Sequence, residues 1–125
     1  MIRTFISMLI ALAVIVGLST YEIFYVQNTF SDFHSILQSL HQKTEDNKVT
    51  YEDGKAVTAY WEDKKHTLHV WLPHTSLQEI DYQLNEAVGY LYIGDYKNAI
   101  PKLEILMTIS TTIPESYTIG VGNIF

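Results

Sequence analysis

The sequence predicts an all-α protein in which an N-terminal transmembrane helix continues into a stalk helix and an antiparallel bundle of three to four helices. Three observations support this fold class. The run Thr4–Tyr21 carries no charge over 18 residues, which gives about 27 Å of helix and just spans the hydrocarbon of a bilayer. Beyond it, apolar residues recur at alternating spacings of three and four, as on one face of a helix. Three later stretches repeat this pattern between start and stop signals.

The transmembrane anchor is predicted over residues 1–21. Arg3 can extend its side chain to one membrane interface, and the rings of Tyr21 and Phe24 suit the other. The positive charges of Arg3 and the amino terminus precede the apolar run, and the first charge after the run is the negative one of Glu22. Because positive residues favour the cytoplasmic side, we expect a single-pass protein of the cell membrane with a cytoplasmic N-terminus and an outer bundle.

Two other interpretations of the apolar run stay open. The segment Gly17–Ser19 loosely fits the cleavage site of a signal peptide, and a buried core helix would also be apolar. The apolar seam continues beyond the run without Gly or Pro, which favours an uncleaved helix that leaves the bilayer unbroken. The residues of that seam are Ile23, Val26, Phe30, Phe33, Leu37 and Leu40.

The extramembrane unit is predicted over residues 22–125. Its helices are expected over residues 22–43, 50–72, 76–93 and 96–113, followed by a folded-back tail over 114–125.

Helix starts are expected at Thr50, paired with Asp53 in a capping box, and at Ser76, paired with Glu79 in another. Gly94 suits a left-handed helix end, and the connection after it is so short that the flanking helices must form an antiparallel hairpin.

Within these helices, apolar residues mark the faces expected to form the core. They are Val57, Trp61, Leu68 and Trp71 in the second helix; Leu77, Ile80, Leu84, Ala87 and Leu91 in the third; and Tyr96, Ala99, Ile100, Leu103, Leu106 and Met107 in the fourth. Pro101 lies in the second turn of the last helix, where it predicts a kink or a later start near Ile100.

Composition excludes several classes of function. The net charge is -6 and the basic residues are scattered, which argues against nucleic-acid binding. The chain has no cysteine, so a disulfide framework, a thiolate metal site and a thiol nucleophile are all excluded. Glu79 and Asp81 lie two apart on a predicted helix and so point in different directions, and no catalytic motif is visible. We therefore expect no enzyme activity and no cofactor.

A weak candidate for a metal site is the trio His66, His69 and His74. The first two are three apart on one predicted helix, and His74 follows the turn at Pro73. Zinc or copper accepts such nitrogen ligands, although the spacing matches no named motif. The alternative is that His66 and His69 are solvated and that His74 fixes the turn.

The aromatic content points to an interaction surface. Nine Tyr, five Phe and two Trp are many for 125 residues. Tyr82, Tyr90 and Tyr92 fall off the predicted core stripes and are candidates for contacting a partner, since aromatic side chains favour interfaces. The alternative is that these tyrosines border the bundle core.

Several segments resemble a bacterial family known as domain of unknown function 4363. The resemblance is carried by His74–Asp81, Gly94–Ala99, Ile113–Glu115 and Asn123–Phe125. It implies a small protein of spore-forming bacteria with one amino-terminal membrane helix, a helical remainder and no assigned activity. It also implies a multi-pass membrane protein as operon partner.

The function expected from these observations is that of a membrane-anchored scaffold or accessory subunit. Its partners would be the lipid bilayer and a membrane protein or a second copy of the chain. The alternative is a sensor that binds a ligand or metal, or responds to pH through its five histidines.

Overall fold

A computed structural model describes the backbone of residues 1–124 and the side chains of residues 1–115. Within residues 1–124 the chain forms four helices and no strand, which confirms the all-α fold class. The helices are α1 Ile2–Glu45, α2 Tyr51–Leu68, α3 His74–Tyr92 and α4 Tyr96–Ile124.

The four helices pack as a bundle in which α1 contacts α2 and α4, and α3 contacts the same two helices. The short connections at 46–50, 69–73 and 93–95 require successive helices to run antiparallel. The topology is therefore up-down-up-down, and α4 returns alongside α1.

The bundle core is built from the predicted seams. All five residues of the α3 face are buried, and the α1 seam is buried from Val26 to Leu40, with Ile23 half-buried at its lower edge. Each fully buried Leu, Ile or Phe contributes roughly 1.5 to 3 kcal/mol relative to its exposed state. The buried apolar residues are Val26, Phe30, Phe33, Leu37, Leu40, Val49, Val57, Trp61, Leu68, Leu72, Leu77, Ile80, Leu84, Ala87, Leu91, Ala99, Leu103 and Leu106.

The first half of α1 stands outside this core. The helix is long and apolar enough to cross a membrane, and none of its most apolar 18-residue window is buried within the protein. That exposure excludes the core-helix interpretation for this chain. One uninterrupted helix of 44 residues joins the apolar window to the bundle, as the seam predicts.

The predicted capping box at the start of α2 is confirmed. The Thr50 hydroxyl accepts a hydrogen bond from the Asp53 amide at 3.2 Å, and the Asp53 carboxylate accepts one from the Thr50 amide at 2.9 Å. These two bonds satisfy donors that no carbonyl of the helix can reach.

The left-handed end of α3 is also confirmed. Gly94 has φ +75°, and the Asp95 amide donates to the Tyr90 carbonyl at 2.8 Å, which closes the last turn. Asn47 has φ 56° beyond the end of α1 and fills the same role there. Asn is the residue that tolerates this conformation best after Gly.

The second helix ends four residues earlier than expected, at Leu68 instead of 72. Residues 69–72 form a turn in which the Trp71 amide donates to the Leu68 carbonyl at 3.0 Å. Pro73 favours an extended conformation in the residue before it, so the helix must be left before that point. The earlier exit buries Leu72 and directs Trp71 toward α1.

The capping box predicted at Ser76 is not formed. The third helix begins at His74 with Pro73 as its N-cap, at φ -60° and ψ 141°, and without a side-chain cap. Ser76 thus lies inside the first turn, and Glu79 accepts a bond from Gln83 at 3.0 Å instead. The fixed φ of Pro73 allows the chain to enter the helix directly after it.

The fourth helix is longer than predicted at its C-terminal end. It begins at Tyr96 and includes Pro101, so the later start near Ile100 is not observed. It also continues through Pro114 to Ile124 instead of giving way to a tail at 114–125. Each interior proline removes one backbone bond but leaves the neighbouring turns intact, and packing against α1 holds the helix together. The folding back of the apolar side chains near the C-terminus onto the bundle concerns residues after 115, whose side chains are outside the described part of the structure.

Candidate functional site

The three histidines singled out from the sequence lie near the turn between α2 and α3. His66, His69 and His74 are all exposed, and the rings of His69 and His74 are 5.4 Å apart between centroids. Among the side chains of residues 1–115, the group of three ligand atoms close enough to share a metal lies elsewhere. The structure therefore brings two of the predicted histidines near each other without forming the predicted trio.

A different histidine takes part in the one group of three potential ligands found in the described residues. His41 Nε2 lies 3.2 Å from Glu104 Oε1 and 3.6 Å from Glu45 Oε1, and one ligand atom from each residue lies within 4.8 Å of the others. His41 and Glu45 are one turn apart on α1, whereas Glu104 comes from α4. We call these three residues the His41 cluster.

The chemistry of the His41 cluster suits a divalent transition-metal ion. Zinc binds nitrogen and carboxylate oxygen at about 2.0 to 2.2 Å in a tetrahedral arrangement, so two of its ligand atoms lie about 3.3 to 3.6 Å apart. The separations of His41 Nε2 from the two carboxylates fall close to this range. The imidazole is 16% exposed, and the carboxylates of Glu45 and Glu104 are 48% and 60% exposed, so the site is open to solvent on the carboxylate side.

An open cleft of about 340 Å³ continues from the His41 cluster along the seam between α1 and α4. Its walls include His34, two turns before His41, together with Met107 and Thr111 of α4. A bound ion would thus keep room for water or for a small anionic ligand.

The tyrosines predicted to contact a partner divide into two sets. Tyr82 and Tyr92 are 55% and 69% exposed, whereas Tyr90 is half-buried and packs on the core. At helical spacing, Tyr82, Asn85, Gly89 and Tyr92 share one stripe of α3, and Tyr90 points away from it. The structure therefore places Tyr82 and Tyr92 on one exposed stripe of α3, and their contact with a partner stays a prediction.

Three residues of that stripe line a groove between α2 and α3, which we call the α2–α3 groove, whereas Tyr82 is not among its lining residues. The groove measures about 500 Å³ and is lined by Tyr51, Lys55, Thr58, Ala59, Asn85, Val88, Gly89 and Tyr92. The rings of Tyr51 and Tyr92 meet edge to face at 4.8 Å and close one end. A methyl group added at Gly89 would meet nothing within 4 Å, so the floor of the groove is open at that residue.

Below the α2–α3 groove, the two helices approach closely. A Cβ atom at Gly54 would lie 3.4 Å from side-chain atoms of Leu91 and Val88. This distance is an ordinary van der Waals contact, so α2 and α3 pack directly against each other behind the groove.

Asp81 has a structural role that the sequence did not reveal. Its carboxylate accepts a 2.7 Å hydrogen bond from the indole N–H of Trp61, whose ring is buried against Phe33 at 5.2 Å. It also lies 3.4 Å from the Lys65 ammonium, which pairs with Glu62 as well. Although burial opposes it, the two carboxylates raise the pKa of Lys65 above its usual value. Asp81 thus satisfies the buried indole and ties α2 to α3.

Comparison with protein families gives one match, which covers most of the chain. The model of the family described as Domain of unknown function (DUF4363) matches residues 20–124. No curated protein and no solved structure matches the chain.

Proposed function

We propose that this chain, which belongs to the DUF4363 family, is a scaffold or accessory subunit that is anchored by α1 in the cell membrane and binds a membrane-protein partner. One observation carries the proposal. A single helix of 44 residues presents bare apolar side chains along its first half and contributes a buried stripe to the bundle along its second half. A bundle attached in this way is held close to the bilayer, where its partners would be membrane proteins.

The orientation in this proposal follows from charge. Arg3 and the amino terminus precede the apolar run, and Glu22 follows it. The positive-inside tendency then leaves the amino terminus in the cytoplasm and the bundle on the outer face.

The surface proposed for the partner is the α2–α3 groove. Tyr51 and Tyr92 supply large rings whose ordering costs little conformational entropy, and the open floor at Gly89 allows a partner backbone to approach. Lys55 lies 5.7 Å from the centroid of the Tyr51 ring and 3.7 Å from a carboxylate oxygen of Glu52, so this aromatic edge carries an ion pair. A helix or extended segment with small side chains opposite Gly89 would complement these features.

The proposal is tested by photocross-linking of the intact protein in native membranes. A photoreactive amino acid replaces Tyr92 in one variant and Ser39, which is exposed on α1, in a matched control. The expected result is one reproducible membrane protein joined at position 92 and not at position 39. Adding Gly89→Trp, which fills the groove, should abolish this product.

Three outcomes of that experiment are informative. A second copy of the chain captured at position 92 would make the groove a homo-oligomer interface. The same product at both positions would show collisions without a defined surface. No product at either position under native expression would contradict the scaffold proposal.

The His41 cluster supports a second candidate function, in which the bundle responds to a divalent metal ion. Because Glu104 lies on α4 and His41 on α1, an ion shared between them would fasten these two helices to each other. If the free concentration of the ion were about 100 times its dissociation constant, binding would raise the free energy of unfolding by about 2.7 kcal/mol.

The metal proposal is tested by thermal unfolding of the full chain in detergent with and without zinc. Zinc is expected to raise the melting temperature of the wild-type protein and of a His66→Ala, His69→Ala pair. His41→Ala should remove the shift. If instead the shift survives His41→Ala and disappears in the pair, the ion binds at the histidines near the α2–α3 turn.

A further inference from the structure

Three aromatic rings meet where the bundle begins. Tyr21 and Tyr25 of α1 lie 6.2 Å apart between ring centroids, and Trp71 from the turn between α2 and α3 lies 6.5 Å and 5.2 Å from them, both edge to face. Trp71, which lies about 50 residues later in the chain, is thus held against α1 by two ring contacts. The three rings form what we call the aromatic collar.

The position of the aromatic collar along α1 sets its depth. Tyr21 is the last residue of the uncharged run, and Tyr25 follows it by about 6 Å along the helix axis. Tyr and Trp rings concentrate at the boundary between hydrocarbon and water. If α1 enters the bilayer at the end of that run, Trp71 is at the level of the lipid headgroups.

The turn that carries Trp71 exposes further apolar area on the same level. Val70 is 75% exposed, and Phe24 of α1 is 64% exposed. Val70 immediately precedes Trp71, and Phe24 lies between the two tyrosines of the collar. Exposed apolar groups continuous with a membrane anchor are accounted for by the same bilayer.

Charge does not select the occupant of this surface. Lys65 pairs with Glu62 and Asp81. Glu22 directly follows Tyr21 of the collar, so cations and carboxylates both lie near the turn. It is therefore the aromatic and apolar side chains, and their continuity with the anchor, that point to the bilayer.

From these observations we infer that the α2–α3 turn, through Val70 and Trp71, is a second membrane contact that inserts into the headgroup region of the bilayer crossed by α1. The inference rests on the proposed membrane anchoring and adds to it. Because α1 is unbroken, a single contact would let the anchor and the bundle tilt together as one body, whereas a second contact beside the anchor limits that tilt.

The absence of cysteine allows a direct test on the full chain. Single variants Val70→Cys, Ile93→Cys and Leu12→Cys carry a nitroxide label in vesicles of phosphatidylcholine mixed with anionic phosphatidylglycerol. Paramagnetic relaxation by oxygen, which concentrates in lipid, is compared with relaxation by a water-soluble nickel chelate. Ile93 is the matched control, because it is 68% exposed in the connection at the other end of the bundle.

The label at Val70 is expected to favour oxygen over the chelate by several-fold relative to the label at Ile93, and the label at Leu12 should favour oxygen most. If the label at Leu12 is in lipid but the labels at Val70 and Ile93 are equally accessible to the chelate, the second contact is overturned and the anchor is left intact. A label at Leu12 that is open to the chelate would overturn both.

Trp71→Ala in the Val70→Cys background gives a second measurement. Because the collar would lose its central ring, the turn should withdraw from the bilayer and the label should become more accessible to the chelate. The far-UV circular dichroism of the bundle should stay unchanged. Unchanged label accessibility in this variant would show that Trp71 does not hold the turn at the membrane.

Discussion

The two halves of α1 share one backbone but bury their side chains in opposite ways. From residue 2 to 25, no side chain is buried within the protein, although residues 4–21 carry no charge and are mostly apolar. From Val26 onward, the buried residues follow a stripe with polar residues between them. Residue pattern, and not apolar content, thus decides which half of the helix packs in the bundle and which half leaves its apolar side chains exposed.

The difference also explains where the bundle is held together. The second half of α1 stacks Phe33 on Trp61, and the indole N–H of Trp61 is satisfied by Asp81. The first half has no such contacts until the aromatic collar at Tyr21 and Tyr25. Variants that act on one half should therefore leave the other half unchanged.

The largest expected effect comes from a matched pair of phenylalanines on α1. Phe33→Ala removes a ring that is 1% exposed and should lower the free energy of unfolding by about 3 to 5 kcal/mol. Phe24→Ala, at 64% exposure, should change it by less than about 0.5 kcal/mol. Urea unfolding of the full chain in detergent, followed by Trp fluorescence, measures both. Equal losses would show that the two halves are not independent.

A charge in the first half should act on membrane insertion alone. Leu12→Arg places a cation near the centre of the uncharged run and should cost about 2.5 to 3.5 kcal/mol in insertion. Cell fractionation of this variant should show less protein in the membrane, while the unfolding curve in detergent stays the same. Lys43→Arg, on the second half, provides a variant with no expected change. Full membrane retention of Leu12→Arg would argue against the anchor.

The buried indole allows a smaller effect to be predicted. Asp81→Ala leaves the Trp61 N–H without an acceptor and should cost about 1 to 3 kcal/mol. Asp81→Asn keeps an oxygen in that position and should cost less. Urea unfolding monitored by Trp61 fluorescence in a Trp71→Phe background separates the two variants. A larger loss for Asn than for Ala would contradict the hydrogen-bond explanation.

The smallest effect concerns pH. The Thr50 amide, with a further contribution from Lys43, lowers the pKa of the Asp53 carboxyl below 3.8. The ionised form is thus favoured in the folded state, so its contribution is complete above pH 3.8 and is lost as pH falls through the lowered pKa. Asp53→Asn should flatten this part of the stability profile at a cost below about 1 kcal/mol. An unchanged profile in Asp53→Asn would contradict this explanation.

The sequence predicted the helices and the core faces because both depend on local pattern. The α3 face is buried in full, and the Thr50 capping box and the Gly94 turn are confirmed by their hydrogen bonds. The helix boundaries predicted from local pattern were wrong next to prolines, because a proline can lie either outside a helix or within its first turns or interior. At Pro73 the chain leaves α2 early and enters α3 early, and at Pro114 packing against α1 outweighs the lost backbone bond.

The candidate metal site was missed for a different reason. Glu104 lies 63 residues after His41, and only the antiparallel register of α1 and α4 brings them together. The signal available in the sequence was the spacing of His41 and Glu45, one turn apart on a predicted helix. By contrast, the histidines near Pro73 are close in sequence, but the early end of α2 leaves them facing solvent.

The unbroken backbone of α1 makes the protein a lever. With no joint between the apolar half of α1 and the bundle, a tilt of 20° in the apolar half would swing the far end of the helix sideways by about 12 Å, given some 24 residues beyond Tyr21. If the apolar half crosses a bilayer, as proposed, such a tilt would displace the loop that follows Glu45.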